Sequence, residues 1–123
     1  GRILVCADDG VGLSDKSDTY ILRFKTNGQL DTTFSTDGIA KVGFDDDDLA
    51  ENVVLQADGK VLFTVSEPTR LLRLTTTGGL DTSFSSDGVV APPSDVGNFS
   101  EVLLDSKGRI LIIGDKGIAR FFP

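Results

Sequence analysis

Any chemistry in this chain has to rest on carboxylates, lysine, arginine or the single tyrosine, Tyr20. The 123 residues contain no histidine. That removes Ser-His-Asp and Cys-His nucleophilic catalysis, histidine general bases and histidine-ligated zinc together. Cys6 is the one cysteine, so the chain forms no internal disulfide and no cysteine-built metal site. It reads as a small strand hydrophobe. Carboxylates, by contrast, are plentiful, and 16 of the 19 acidic residues are aspartate. Aspartate suits turns and caps more than helices.

Three carboxylate groupings have a possible chemical use. The run Asp45-Asp46-Asp47-Asp48 could hold Ca²⁺, which takes about 6–8 oxygen ligands. It lacks the alternating spacing of an EF-hand loop, and its counterpart later in the chain, Pro92 to Gly97, is not acidic. A solvated loop is therefore the default reading. Asp48, Glu51 and Glu101 fall near one set of strand starts, where a pair about 5–9.5 Å apart could hydrolyse a glycoside. Nothing in the local sequence pairs them. Asp31 and Asp81 recur at matching positions, each before Thr-x-Phe, which makes them caps rather than catalysts. Asp58 is a turn residue by the same logic. Arg23, Arg73 and Arg120 also recur, and are expected on a polar strand face, each pairing a neighbouring carboxylate.

The elements that position these groups come from a repeat. Leu30 to Ile39 and Leu80 to Val89 are nearly the same sequence, 50 residues apart. A period of that size marks units that bury their apolar faces only by stacking. In the best-defined unit, Glu51 to Gln56 is a first strand, and Asp58-Gly59 is a hairpin turn signal. Lys60 to Val65 is a second strand rich in β-branched and aromatic residues. Glu67-Pro68-Thr69 breaks it, and Arg70 to Thr75 is a third. Gly78-Gly79 then turns the chain, Asp81 caps a single helical turn with Leu80 and Phe84 as a staple, and Val89-Val90 is a short fourth strand. No segment carries a sustained 3.6-residue apolar period, so long helices are not expected.

The same order recurs on both sides. Gly1 to Val5, Thr19 to Phe24 and Ile39 to Val42 supply strands two to four of an earlier unit. Glu101 to Asp105, Arg109 to Ile113 and Ile118 to Phe122 supply strands one to three of a later one. The hairpin glycine Gly59 recurs as Gly108. The expected fold is all-β and β-propeller-like: about three antiparallel four-stranded blades, 1–44, 45–91 and 92–123, with the first and last incomplete. This pattern reads as part of a larger propeller, with further blades of the same parent chain or other subunits against both end blades.

The compound motif resembles the delta-60 repeat family of bacterial proteins, held to be β-propellers of unknown function. The matching elements are Asp58-Gly59-Lys60, the Leu71 to Leu74 strand, Gly78 to Phe84 and Asp87-Gly88. The earlier copy repeats Leu22-Arg23-Phe24, Gly28 to Phe34 and Asp37-Gly38. The chain departs from the pattern where Ser35 and Ser85 stand in place of a glycine after the phenylalanine. Only Gly114 closes a second strand with glycine. The resemblance implies a secreted or surface-attached bacterial protein, and it brings no catalytic residues with it.

The net charge of −7 argues against nucleic acid, which needs a basic stripe, and against anionic membrane surfaces. No apolar run approaches the ~20 residues of a membrane-spanning helix. Ten of the aspartates (Asp8, Asp9, Asp15, Asp18, Asp45 to Asp48, Asp95 and Asp115) fall in the loops between strands two and three or between successive units. Lys16 and Lys116 oppose them, so that end of the blades is expected to be acidic. The functional expectation is a non-catalytic structural or interaction module with a protein or carbohydrate ligand and no cofactor. A carboxylate-based carbohydrate hydrolase and a calcium-stabilised surface module are the alternatives.

Overall fold

The computed structural model describes residues 1–9, 17–44, 49–66 and 68–122. Among these residues there are ten strands in three antiparallel sheets and no helix. Sheet 1 holds β1 (Arg2–Asp8), β2 (Thr19–Lys25) and β3 (Ile39–Val42), in that order. Sheet 2 holds β4 (Leu49–Leu55), β5 (Val61–Ser66), β6 (Arg70–Leu74) and β7 (Val89–Val90) in sequence order. Sheet 3 holds β8 (Phe99–Leu104), β9 (Ile110–Gly114) and β10 (Ile118–Phe121), again as neighbours in sequence. The close approaches between sheets run through β4, which contacts β1 on one side and β8 on the other. No described helix is long and apolar enough to cross a membrane.

Strand composition explains the stacking. Side chains alternate across a strand, so one strand serves both faces of its sheet. In β5, Val61, Phe63 and Val65 join Leu72 and Leu74 in a core with Ile21, Phe34, Ala40 and Val42 of sheet 1. Leu62, on the opposite face, joins Leu71 in a second core with Val102, Ile110 and Ile112 of sheet 3. Val61 to Val65 are therefore buried without a break, as expected for a strand covered on both faces. Each fully buried side chain of this size contributes roughly 1.5–3 kcal/mol. Cys6, half-buried, packs against the first core beside Leu4.

The pairing registers superimpose the three units. Ile3 pairs with Phe24, Val61 with Leu74, and Ile110 with Phe121. The first strands of sheets 2 and 3 carry a bulge at matching places, between Ala50 and Asn52 and between Phe99 and Glu101. Bulges of this kind bend a strand and increase its twist.

The connection from β6 to β7 contains no helical turn at Asp81, in contrast to the sequence expectation. Asp81 C=O accepts the Phe84 N–H at 2.8 Å, which closes one tight turn, and the chain then bends again to Gly88. The Asp81 N–H is meanwhile taken by the Arg73 C=O at 2.8 Å. Ser85, at φ 56°, leaves the right-handed helical region directly after Phe84, so the turn does not propagate into a helix. Gly88 has φ +85°, and a Cβ there would sit 3.2 Å from Asp81 N and O. Glycine is required because the loop closes on its own backbone.

Ser35 and Ser85, where the resembled pattern has glycine, adopt φ of 48° and 56°. An L-residue in this left-handed region costs about 1–2 kcal/mol. Ser85→Gly is therefore expected to stabilise the chain by about 0.5–1 kcal/mol after the entropy cost of glycine is deducted. Urea unfolding should show a higher midpoint with an unchanged slope.

Candidate functional site

The two ends of the sheets differ in chemistry. The end carrying the β4–β5 and β8–β9 hairpins, which is also where β2 and β6 finish, holds a repeated ionic anchor. In sheet 1, Asp31 is buried and its Oδ2 accepts Arg2 Nε at 2.6 Å and Arg23 Nε at 3.0 Å. Its Oδ1 accepts the Thr33 hydroxyl at 2.7 Å and the Thr33 N–H at 3.3 Å. The guanidinium of Arg23 lies 4.5 Å from the centre of the Phe34 ring. Sheet 2 repeats this arrangement. Asp81 Oδ2 meets Arg73 Nε at 2.8 Å and Lys60 Nζ at 3.0 Å, and its Oδ1 accepts the Ser83 hydroxyl at 2.6 Å. Arg73 lies 4.4 Å from the Phe84 ring centre.

These contacts hold both carboxyls well below the usual carboxylate range. For Asp31 the hydrogen bond from Thr33 is the largest cause, followed by that from Arg2. For Asp81 it is the hydrogen bond from Ser83; burial opposes the shift, and Lys60 reinforces it. A carboxyl held this low does not donate a proton near neutral pH, so neither residue fits the acid role in glycoside hydrolysis.

The arginines correct the sequence expectation of a polar strand face. Arg23 and Arg73 are buried, because each carboxylate sits inside the connection that folds back over β2 or β6. The second cation was not foreseen, although its signal was present: a basic residue follows each hairpin glycine, as Arg2, Lys60 and Arg109. Arg109 pairs instead with Asp105, Nε to Oδ2 at 2.6 Å. Burial pushes the Asp105 carboxyl up, but its hydrogen bonds to Arg109 and Lys107 prevail and leave it lowered. Asp58 accepts the Lys60 N–H at 3.1 Å in the β4–β5 turn, and Gly59 and Gly108 close the two hairpins at φ of +87° and +74°. A pocket of about 390 Å³ lies here between sheets 1 and 2, lined by Arg2, Arg23, Thr33, Leu55 and Thr76 among others. Both arginines are already paired to Asp31.

The opposite end carries the β5–β6 hairpin and the connection from sheet 2 to sheet 3. A pocket of about 550 Å³ opens between them, lined by Ser66, Pro68, Thr69, Arg70, Pro92 and Asn98, with Ala91 and Phe99. The Thr69 hydroxyl donates to Asn98 Oδ1 at 3.3 Å, tying the two sheets at its rim. Proline and phenylalanine give the walls an apolar surface, and hydroxyl, amide and guanidinium groups supply donors and acceptors. Among the described residues no carboxylate lines this pocket; Glu67, between Ser66 and Pro68 in sequence, lies outside them.

The candidate carboxylates are not gathered there. Glu51 sits at the β4 bulge and accepts the Ser66 hydroxyl at 2.9 Å, and Glu101 lies on β8. Asp45, Asp46, Asp47 and Asp48 lie outside the described residues, as does Asp15. Among the described residues no group of three or more potential metal ligands comes together. Three of the remaining loop aspartates fasten the backbone or pair a cation. Asp9 accepts the Asp18 N–H at 3.1 Å, Asp115 accepts the Asn98 N–H at 3.0 Å, and Asp18 pairs with Lys41 at 2.6 Å. Asp8 and Asp95 are exposed. The sequence count of cations at this end omitted Lys41 and Arg70, which are carried on strands. Lys41 is held protonated above its ordinary range, chiefly by its hydrogen bond to Asp18, and Arg70 lies 4.6 Å from the Phe44 ring centre. Glu51 and Glu101, near the starts of β4 and β8 at this same end, offset these two cations.

A carboxyl lowered by folding stabilises the native state fully above the unfolded pKa, and that contribution is lost as pH falls. Stability is therefore expected to hold from pH 7 to about 5 and to decline below that, where unfolded carboxylates bind protons first. Urea titrations at pH 7 and pH 3 check this. Asp81→Asn should lose stability at pH 7 and show a smaller difference between the two pH values than the parent.

Comparison with known proteins agrees with this architecture. Residues 1–34 match a family model described as a domain of unknown function (DUF5122) beta-propeller. No curated protein and no solved structure matches the chain. The match and the three stacked antiparallel sheets together make the chain an all-β protein of β-propeller type.

Proposed function

We propose that this chain is a non-catalytic interaction module, part of a bacterial extracellular or surface repeat protein, that presents the 550 Å³ pocket to a carbohydrate or protein ligand. The observation carrying this reading is the lining of that pocket. Ser66, Thr69 and Asn98 offer neutral hydrogen-bonding groups, and Pro68, Pro92 and Phe99 offer apolar walls; among the described residues no carboxylate joins them. Such a mixture suits orienting a polar ligand on an apolar surface. Two further features support it. Asp31 and Asp81 are consumed by structural ion pairs. The resemblance to delta-60 repeats, which on this reading extends beyond the matched residues 1–34, supplies the secreted bacterial setting and further blades or subunits beside the end sheets.

A panel of chromogenic glycosides tests the absence of catalysis. Hydrolysis is expected at the buffer rate. Turnover that disappears in Glu51→Gln or Glu101→Gln overturns the reading in favour of a hydrolase.

The module is also expected to work without a metal. A ligand that binds only the folded state raises the melting temperature with its concentration. The melting temperature is expected to be the same in millimolar CaCl₂ and in EDTA. A rise that grows with Ca²⁺ and is lost on replacing Asp45 to Asp48 with asparagine overturns this and assigns the run to calcium.

A further inference from the structure

The β4–β5 and β8–β9 hairpins share one backbone geometry and differ at one side chain. The Gln56 N–H donates to the Lys60 C=O at 2.9 Å, and the Asp105 N–H donates to the Arg109 C=O at 3.0 Å. The Gly59 and Gly108 N–H groups then close the two turns on the Gln56 and Asp105 carbonyls, each at 2.9 Å. Gln56 therefore stands where Asp105 stands. Asp105 commits its carboxylate to its own hairpin: Oδ1 accepts the Lys107 and Arg109 N–H groups, and Oδ2 accepts Arg109 Nε. In the other hairpin Asp58 Oδ1 takes the Lys60 N–H instead, at 3.1 Å. That leaves the Gln56 side-chain carbonyl out of its turn.

Gln56 is only 7% exposed, and its Oε1 is buried with no hydrogen-bond partner among the described residues. A buried acceptor left unpaired carries its desolvation penalty with nothing to offset it. Gln56 also lines a cavity of about 220 Å³ between the two hairpins, together with Ala57, Asp58, Leu104, Lys107 and Gly108. Asp58 and Lys107 are exposed, so the rim holds one carboxylate acceptor and one ammonium donor. Ala57 and Leu104 supply apolar surface.

We propose that this cavity is a binding site for one neutral polyol unit, a monosaccharide or the terminal sugar of a glycan. The last torsion of a glutamine side chain is soft, so the Gln56 amide turns its oxygen onto a hydroxyl that enters the cavity. Hydroxyls both donate and accept. Neighbouring hydroxyls of one sugar donate to Gln56 and Asp58 and accept from Lys107, while the C–H face of the ring lies on Leu104 and Ala57. The opposite charges of Asp58 and Lys107 cancel at the rim, which selects neither an anion nor a cation. The volume is below the roughly 300–1,000 Å³ of pockets for drug-sized ligands, which suits one ring rather than a chain of them. The site lies at the opposite end of the sheets from the 550 Å³ pocket and does not rest on it.

Amide-resolved NMR titration of the 123-residue chain provides the test, with glucose, galactose and mannose, their methyl glycosides, and glucuronate and glucosamine as charged controls. At least one neutral sugar is expected to give saturable shifts, at millimolar concentrations, in the amides of Ala57, Asp58, Lys107 and Gly108 and in the Gln56 side-chain NH₂. Binding of the methyl glycosides assigns the terminal unit of a glycan, and binding of the free sugars alone assigns the monosaccharide. Gln56→Met keeps the shape and removes the acceptor, and should raise the dissociation constant about tenfold, the scale of one hydrogen bond. Its urea midpoint should match or exceed that of the parent, because the acceptor it removes has no partner in the fold. Asn98→Ala, at the other pocket, should leave these shifts unchanged. Absence of saturable shifts with every sugar, which leaves the cavity to water only, overturns the proposal. So do tighter binding of glucuronate or glucosamine, unchanged affinity in Gln56→Met, or shifts lost in Asn98→Ala. If Gln56→Met loses its β-sheet circular dichroism, Lys107→Met, at an exposed position, decides by the same loss of affinity.

Discussion

The middle sheet has no face to give to water. Leu62 and Phe63 are adjacent in β5, point to opposite sides, and are both fully buried. A sheet of this kind is stable only between two others, and everything else in the molecule follows from that requirement. Sheet 1 and sheet 3 each meet it with a matching apolar face, and β4 lies between β1 and β8 where the three sheets come closest. Stability in such a stack comes from interfaces between neighbours as much as from any unit alone.

Within each of the first two sheets a second constraint operates. The connection after β2 and after β6 must fold back over its own strand, which buries polar backbone and side chains. The aspartate in that connection answers this by accepting from its own turn through one oxygen and from two cations through the other. Removing one partner from such a group leaves a charge without compensation, which is far costlier than the pair is favourable. The arginine also stacks on the phenylalanine three residues beyond the aspartate. Strand, hairpin and connection are thus locked at one end of the sheets. The pocket between sheets 2 and 3 lies at the other end, beside the connection whose Val96 joins the second core.

Much of the fold was legible because its signals are local or periodic. Alternation within Lys60 to Val65, the Asp58-Gly59 turn and the 50-residue spacing of Leu30 and Leu80 each report a short-range geometric requirement. The Asp81 segment was misread as a helical turn for the opposite reason. A cap followed by an apolar staple is a valid local signal, and Asp81 Oδ1 does accept the Ser83 N–H, but Ser85 turns into the left-handed region at φ 56° and leads the chain on to β7 after one turn. The burial of Arg23 and Arg73 was missed because an arginine alternating with leucines looks the same whether its face meets water or another sheet. The residues around the pocket carry no distinctive pattern at all. Thr69 and Asn98 are ordinary loop residues, separated by 29 positions, and become neighbours only when sheets 2 and 3 pack.

The sequence by itself determined the strand order, the hairpin turns, the repeat and the exclusion of histidine and disulfide chemistry, since each depends on residue type and short spacing. Tertiary structure alone decided which face of each sheet meets which neighbour, that Asp31 and Asp81 are bound by two cations, and where a pocket opens. The physical reason is that a strand pattern specifies two faces but not their partners. Partners are chosen when sheets stack, and charge and cavity are properties of the stack.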